Sequence, residues 1–117
     1  MGWTIGNFAL SQAQMNANAV EVYKYFSGKG WTLNAIAGIL GNMQSESYIN
    51  PGVWQSLIAG NYSGGFGLVQ WTPATNYTNW ATANGYGITD PNGQLYWIDA
   101  LSASTGQWIP TGAYNMS

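Results

Sequence analysis

The apolar positions in the first half of the chain recur at helical spacing. Met15, Ala19, Val22, Tyr23 and Phe26 form one stripe, which begins after Ser11 and ends at Gly28 and Gly30. Ser11 with Gln14 three residues on makes a capping box, so a first helix is predicted from Gln12, with Met1 to Leu10 as an arm leading into it. Glu21 and Lys24 fall on its outer side, at a spacing suited to a solvated pair. A second helix is predicted after the N-cap Thr32. Its apolar positions Leu33, Ile36, Ile39, Leu40 and Met43 wrap more than one face, the pattern of a central helix, and Asn50-Pro51-Gly52 prevents its continuation.

From Gly52 to Trp71 the period is lost. Gly60, Gly64, Gly65 and Gly67 stand among Tyr62, Phe66, Leu68, Val69 and Trp71, which predicts turns and short strands in a small lobe beside the helical body, with a cleft between the two. Thr72-Pro73 predicts a third helix, capped by Thr72 with Pro73 at its first position and closed by Gly85. Asp90-Pro91 repeats that signal for a fourth, with Leu95, Ile98 and Leu101 as its apolar face and its end near Gly106. The expected class is α+β, mainly helical, in a single domain over residues 1–117. Trp108 to Ser117 has no period to close the core, so the chain is expected to be the front part of a longer protein.

Composition narrows the chemistry. Cysteine and histidine are absent, which removes disulfides, thiol nucleophiles, serine–histidine catalysis and nearly every zinc site. Carboxylates, amides, hydroxyls and aromatic rings remain, and no cofactor is called for. Only 5% of residues are charged, against about 25% in an ordinary soluble domain, so the surface must be polar without charge. Two lysines cannot hold a nucleic-acid backbone. No window approaches the roughly 18 apolar residues of a membrane span, and the N-terminus lacks the basic start and apolar run of a signal peptide. Seven tryptophans and eight tyrosines can fill a core or stack on sugars.

Among four acidic residues, Glu46 is conspicuous. At 100° per residue it falls about 20° from Ile39, and so is predicted to project from a largely buried face in the last turn of the second helix. A general acid that protonates a glycosidic oxygen must hold its proton near neutral pH, above the ordinary glutamate value of about 4.3. Partial negative charge at a helix C-terminus and an apolar surround both act in that direction. On pattern alone a solvated helix-end glutamate is an equal reading.

The residues downstream shift that balance. Ile39-Leu40-Gly41-Asn42-Met43-Gln44-Ser45-Glu46-Ser47, Ile49-Asn50-Pro51-Gly52 and Gly65-Phe66-Gly67-Leu68-Val69-Gln70-Trp71-Thr72-Pro73 together resemble the phage tail lysozymes, and more widely the goose-type lysozyme and lytic transglycosylase pattern. The resemblance continues through Asn76-Tyr77, Asn79-Trp80-Ala81 and Gln94-Leu95. It implies a lysozyme-like fold and cleavage of the β-1,4 bond between N-acetylmuramic acid and N-acetylglucosamine in peptidoglycan. It maps the catalytic glutamate onto Glu46, the glycine-rich ribbon onto Gly64 to Gly67, and a cleft-lining glutamine and tryptophan onto Gln70 and Trp71. It further implies a place at the phage tail tip, among other tail proteins, acting on the wall of a Gram-positive host from outside.

Glycoside hydrolysis ordinarily uses two carboxylates. The stretch from Pro51 to Phe66 contains none, and offers Asn61, Tyr62 and Ser63 where many lysozymes have an aspartate. Asp90 is most simply a cap, and Asp99 lies one step off an apolar face, so a single-acid mechanism is expected. The candidate contacts to the sugar chain are Ser47, Tyr48, Trp54, Asn61, Gly67, Gln70 and Trp71. Several have a structural alternative: Ser47 would satisfy helix-end backbone groups, Tyr48 and Trp54 would pack in the core, and Trp71, with Trp80 and Trp97, is assigned mainly to the core. A non-catalytic glycan-binding or tail-structural module is the competing reading of the whole chain.

Overall fold

The computed structural model describes residues 2–101, and the expected end of the fourth helix near Gly106 and the stretch from Trp108 lie outside them. The architecture is mainly helical. Helix α1, Gln12–Gly28, opens on the expected box: the Ser11 hydroxyl accepts from Gln14 N, and the Gln14 side chain accepts from Ser11 N. Helix α2, Leu33–Ser47, opens on Thr32, whose hydroxyl accepts from Ala35 N at 3.1 Å. Both helices thus begin where a side-chain oxygen can satisfy an amide that the first turn leaves free.

Helix α2 supplies the middle of the core. Ala35, Ile36, Ile39 and Met43 are buried against Val22 and Phe26 of α1, against Phe66, Leu68 and Trp71, and against Leu95, Trp97 and Ile98. Two positions of the predicted stripes are exposed instead, Tyr23 on α1 and Leu33 at the first turn of α2. Asn18 takes an interior place on α1 that a hydrophobic pattern gives no reason to expect. Helix α3 is Thr75–Ala83, and α4 is Pro91–Tyr96 continued by a π-helical turn at Trp97–Leu101. Asp90 caps α4 as expected, accepting from Asn92 N at 2.9 Å.

The predicted β lobe is replaced by turns. Among the described residues, the stretch from 52 to 71 shows only isolated bridges, Trp54 with Phe66 and Phe66 with Trp71. The physical reason lies in burial. Gly65, Phe66, Gly67, Leu68 and Val69 are buried in succession, without the alternation a two-faced strand requires, and Gly67 and Gln70 turn the chain with φ of 85° and 53°. The Leu68 amide leaves the ladder altogether and donates to Gln94 Oε1 on α4 at 2.9 Å.

The start of α3 also departs from expectation. The Thr72 hydroxyl donates to Gln70 O at 2.9 Å and caps nothing, and the Thr72–Pro73 peptide is cis. The helix begins at Thr75, with Ala74 before it. Ala74 N donates to Tyr62 O and Gly64 O, so the helix start is tied to the preceding turn rather than to a side-chain cap.

The arm before α1 is sewn to the rest by asparagines. Asn50 Nδ2 donates to Gly6 O and Phe8 O, while its Oδ1 accepts from Gly6 N and Gly52 N. Asn18 Nδ2 donates to Thr4 O and Ile49 O, and Asn18 Oδ1 accepts from Thr4 N. Both asparagines are fully buried, and each uses its donor and acceptor groups on backbone that would otherwise be left unsatisfied.

Candidate functional site

A groove of about 310 Å³ opens where α2 ends. It is lined by Glu46, Ser47 and Tyr48 from the helix end, by Val53, Trp54, Gln55, Ser56 and Leu57, by Gln70, and by Ala9 of the arm. The volume sits at the small end of the range typical of ligand pockets. Among the described residues, Glu46 is the only carboxylate on its wall.

Glu46 is exposed on the groove, not projecting from a buried face. The azimuth shared with Ile39 is correct, but azimuth gives a direction only. In the last turn of α2 that direction opens onto the groove, while Ser47 beside it stays buried. Val53, Trp54 and Leu57 share the wall with it, but Glu46 itself stays exposed.

Ser47, by contrast, is buried. Its hydroxyl lies 3.0 Å from Met43 O and 2.7 Å from Leu68 O, and Asn50 N donates to it at 3.4 Å. It joins the helix end to the 66–70 turn, the structural role weighed for it, although its edge reaches the groove. Tyr48 is exposed, with φ 57° and ψ 32°, and its ring is free to meet a ligand. Trp54 lines the groove while largely buried, its ring edge-on to Tyr62 at 5.1 Å and tilted on Phe66 at 4.5 Å.

Gln70 reaches the groove, but its Nε2 donates to Val53 O at 3.1 Å and Gly67 O at 2.9 Å. The amide donors expected for an N-acetyl group are thus occupied by backbone. Three other candidates do not line the groove. Trp71 is 2% exposed and stacks on Tyr77 at 4.3 Å, a core residue. Gly67 is buried, and a Cβ there would meet Gln94 Oε1 at 2.9 Å, so its glycine serves close packing and a positive φ. Asn61 is exposed on a turn and accepts from the Ser63 hydroxyl at 2.9 Å.

Asp99 is fixed elsewhere, accepting from Trp31 Nε1 at 2.8 Å, and with Asp90 at its cap neither aspartate joins Glu46. Among the described residues there is no group of three or more His, Cys, Asp or Glu placed to hold a metal. Sequence reasoning passed over Ala9, Val53, Gln55, Ser56 and Leu57, and also Gln94. Gln94 is fully buried, donates to Pro51 O and Ile88 O, and accepts from Leu68 N. A glutamine on the apolar side of a predicted helix was the available signal.

Backbone strain is concentrated here. Among the described residues, the non-glycines with positive φ are Tyr48, Ile49, Ser56, Leu57 and Gln70, and all but Ile49 line the groove. Side chains in the left-handed region are disfavoured by roughly 1–2 kcal/mol each, and such residues cluster at functional sites.

Comparison with known proteins places this geometry in context. A relative described as "Morphogenesis protein 1", of Bacillus phage B103, is 52% identical over 103 residues, which is 88% of this chain and 28% of the relative. The chain therefore spans a little over a quarter of that relative's length. Residues 17–111 match the phage tail lysozyme family, and over that extent, which contains Glu46 and most of the groove, the chain belongs to the phage tail lysozyme family.

Proposed function

We propose that the groove takes a glycan strand of peptidoglycan and that Glu46 cleaves it at the β-1,4 bond between N-acetylmuramic acid and N-acetylglucosamine. The observation that carries this reading is the placement of Glu46, the only carboxylate among the described residues of the groove, on one wall with Tyr48 and Trp54 in a member of a lysozyme family. Glu46 gives its proton to the leaving glycosidic oxygen as the bond to the anomeric carbon breaks. The resulting carboxylate then takes a proton from water, which adds to that carbon, or from the substrate's own 6-hydroxyl, which closes an anhydro ring. Because Glu46 is exposed, exclusion of water from its carboxyl falls to the bound strand itself. Tyr48 offers an exposed ring face to a sugar, and Trp54 an edge.

The relative described as "Morphogenesis protein 1", of Bacillus phage B103, supports a phage setting. The proposed place of action is the phage tail tip, against the wall of a Gram-positive host, with other tail proteins as neighbours. With a net charge of −2 the chain gains no long-range attraction to an anionic wall, which suits delivery by a particle.

Glu46→Gln preserves shape and removes the proton. It is expected to abolish new reducing or anhydro ends in digested peptidoglycan, read by mass spectrometry, while sedimentation with walls persists. A variant that still generates such ends would refute the acid role. A parent that binds walls and leaves every strand intact would instead establish a glycan-binding or structural tail module.

A further inference from the structure

The arm that precedes α1 reaches the groove through one side chain. Asn7 Oδ1 accepts from Trp54 N at 3.0 Å, and Asn7 Nδ2 donates to Leu57 O at 2.8 Å. The two partners bracket the turn Gln55–Leu57, so a single amide spans it from end to end. Within the turn Ser56 and Leu57 hold φ of 55° and 60°, a pair of consecutive left-handed residues with side chains. The turn's own bonds, Leu57 N to Trp54 O and Ile58 N to Gln55 O, close it but do not relieve that conformation.

The turn buries none of its residues, and Leu57 and the following Ile58 are more than half exposed. Core packing therefore gives no reason to hold it in a disfavoured shape. What it does form is groove wall, together with Trp54 and with Ala9 of the same arm. The arm is itself pinned on either side of Asn7 by the Asn50 bonds to Gly6 and Phe8, so Asn7 acts from a fixed base.

We infer that Asn7 is a positioning residue for glycan binding: it holds the Trp54–Leu57 wall in the shape that receives the sugar chain, without touching the sugar. The inference rests on the reading of the groove as a glycan site. An amide is the required group, since one end must accept and the other donate. Aspartate keeps the acceptor for Trp54 N and sets an oxygen against Leu57 O, and alanine keeps neither. Because the wall binds the strand equally before and during bond breaking, its loss is felt as weaker binding with little change in turnover.

The test pairs calorimetric titration of a soluble N-acetylglucosamine oligomer with kinetics of wall solubilisation. Asn7→Ala is expected to weaken oligomer binding and raise KM by about tenfold each, with kcat within about twofold of the parent. Adding Ser56→Gly, which relieves one of the turn's two left-handed residues, is expected to recover part of the lost affinity. Unchanged affinity in Asn7→Ala overturns the inference, as does a fall in kcat at constant KM or a double variant that binds no better than Asn7→Ala. Should circular dichroism show Asn7→Ala unfolded, Asn7→Asp decides: a raised KM supports the clamp to Leu57, and a parental KM overturns it. Oligomer binding needs no bond cleavage, so the two readings separate. A parent that neither binds nor cleaves removes the glycosidase reading beneath the inference, whereas a parent that binds, matched by Asn7→Ala, removes only the role of Asn7.

Discussion

Helices α1 and α2 both leave their last turn through left-handed backbone, and they use different residues to do it. After α1 the left-handed residue is Gly30, φ 89°, with Trp31 N returning to Phe26 O at 3.0 Å. After α2 it is Tyr48 and then Ile49, both at φ 57°, with Ile49 N returning to Met43 O at 3.2 Å. A glycine adopts this region without penalty, and a side chain does not. At the end of α1, where no Cβ would meet anything within 4 Å, the chain uses the unstrained solution. At the end of α2 it retains a tyrosine that faces the groove and an isoleucine that is buried, and the surrounding bonds of Asn18, Ser47 and Asn50 hold them there. The contrast teaches that strain at α2 is tolerated for what the side chains do.

The comparison can be broken most severely at Asn50. Asn50→Ala removes bonds to Gly6, Phe8 and Gly52 at a fully buried site and is expected to lower stability by about 2–4 kcal/mol in denaturant titration. A loss as small as that of an exposed asparagine would mean the α2 end holds its conformation unaided. A smaller and opposite-signed pair sharpens the contrast directly. Gly30→Ala should lower stability by about 1 kcal/mol, whereas Tyr48→Gly should raise it by up to about 1 kcal/mol while weakening oligomer binding. Equal destabilisation by both substitutions would end the argument that α2 is strained for function.

The smallest effect distinguishes the helical body from the groove by pH. Burial, with Asp99 next, pushes the Tyr25 phenol of α1 up to about 12, and burial, with Asp90 next, raises that of Tyr77 further. Well below pH 10 these phenols are neutral in folded and unfolded chains alike. Above it the unfolded chain releases their protons first, so stability falls as pH rises from 10 towards 12. Tyr25→Phe should soften that alkaline loss in a series of thermal midpoints.

The starts of α1 and α2 were legible because their signals are local: Ser11 with Gln14, and Thr32 ahead of an apolar run. Glu46 was legible as a scarce acid at a helix end, and its exposure was not, because periodicity cannot say whether another element lies opposite. The 52–71 stretch, read as turns and short strands, forms turns and isolated bridges, and three of its amides, Trp54 N, Gly65 N and Leu68 N, go to side chains of Asn7, Gln55 and Gln94. Glutamine and asparagine side chains that replace a ladder leave no period to read. Trp71 and Gly67 kept the motif's spelling yet face the core, since a short apolar run shows no preferred side.

The arm also bears on where this domain ends physically. Similarity to the family begins at residue 17, yet Thr4, Gly6, Asn7, Phe8 and Ala9 bond to or line parts of the molecule that lie well inside the matched region. A piece excised at the similarity boundary would keep Glu46 and the whole of α2. It would also surrender Ala9 from the groove wall, the Asn7 amide that braces the Trp54–Leu57 turn, and the arm's backbone partners of Asn50 and of Asn18. Such a truncation could score as an intact family member by sequence and still lack a usable site, which makes the seam between matched and unmatched chain the wrong place to cut.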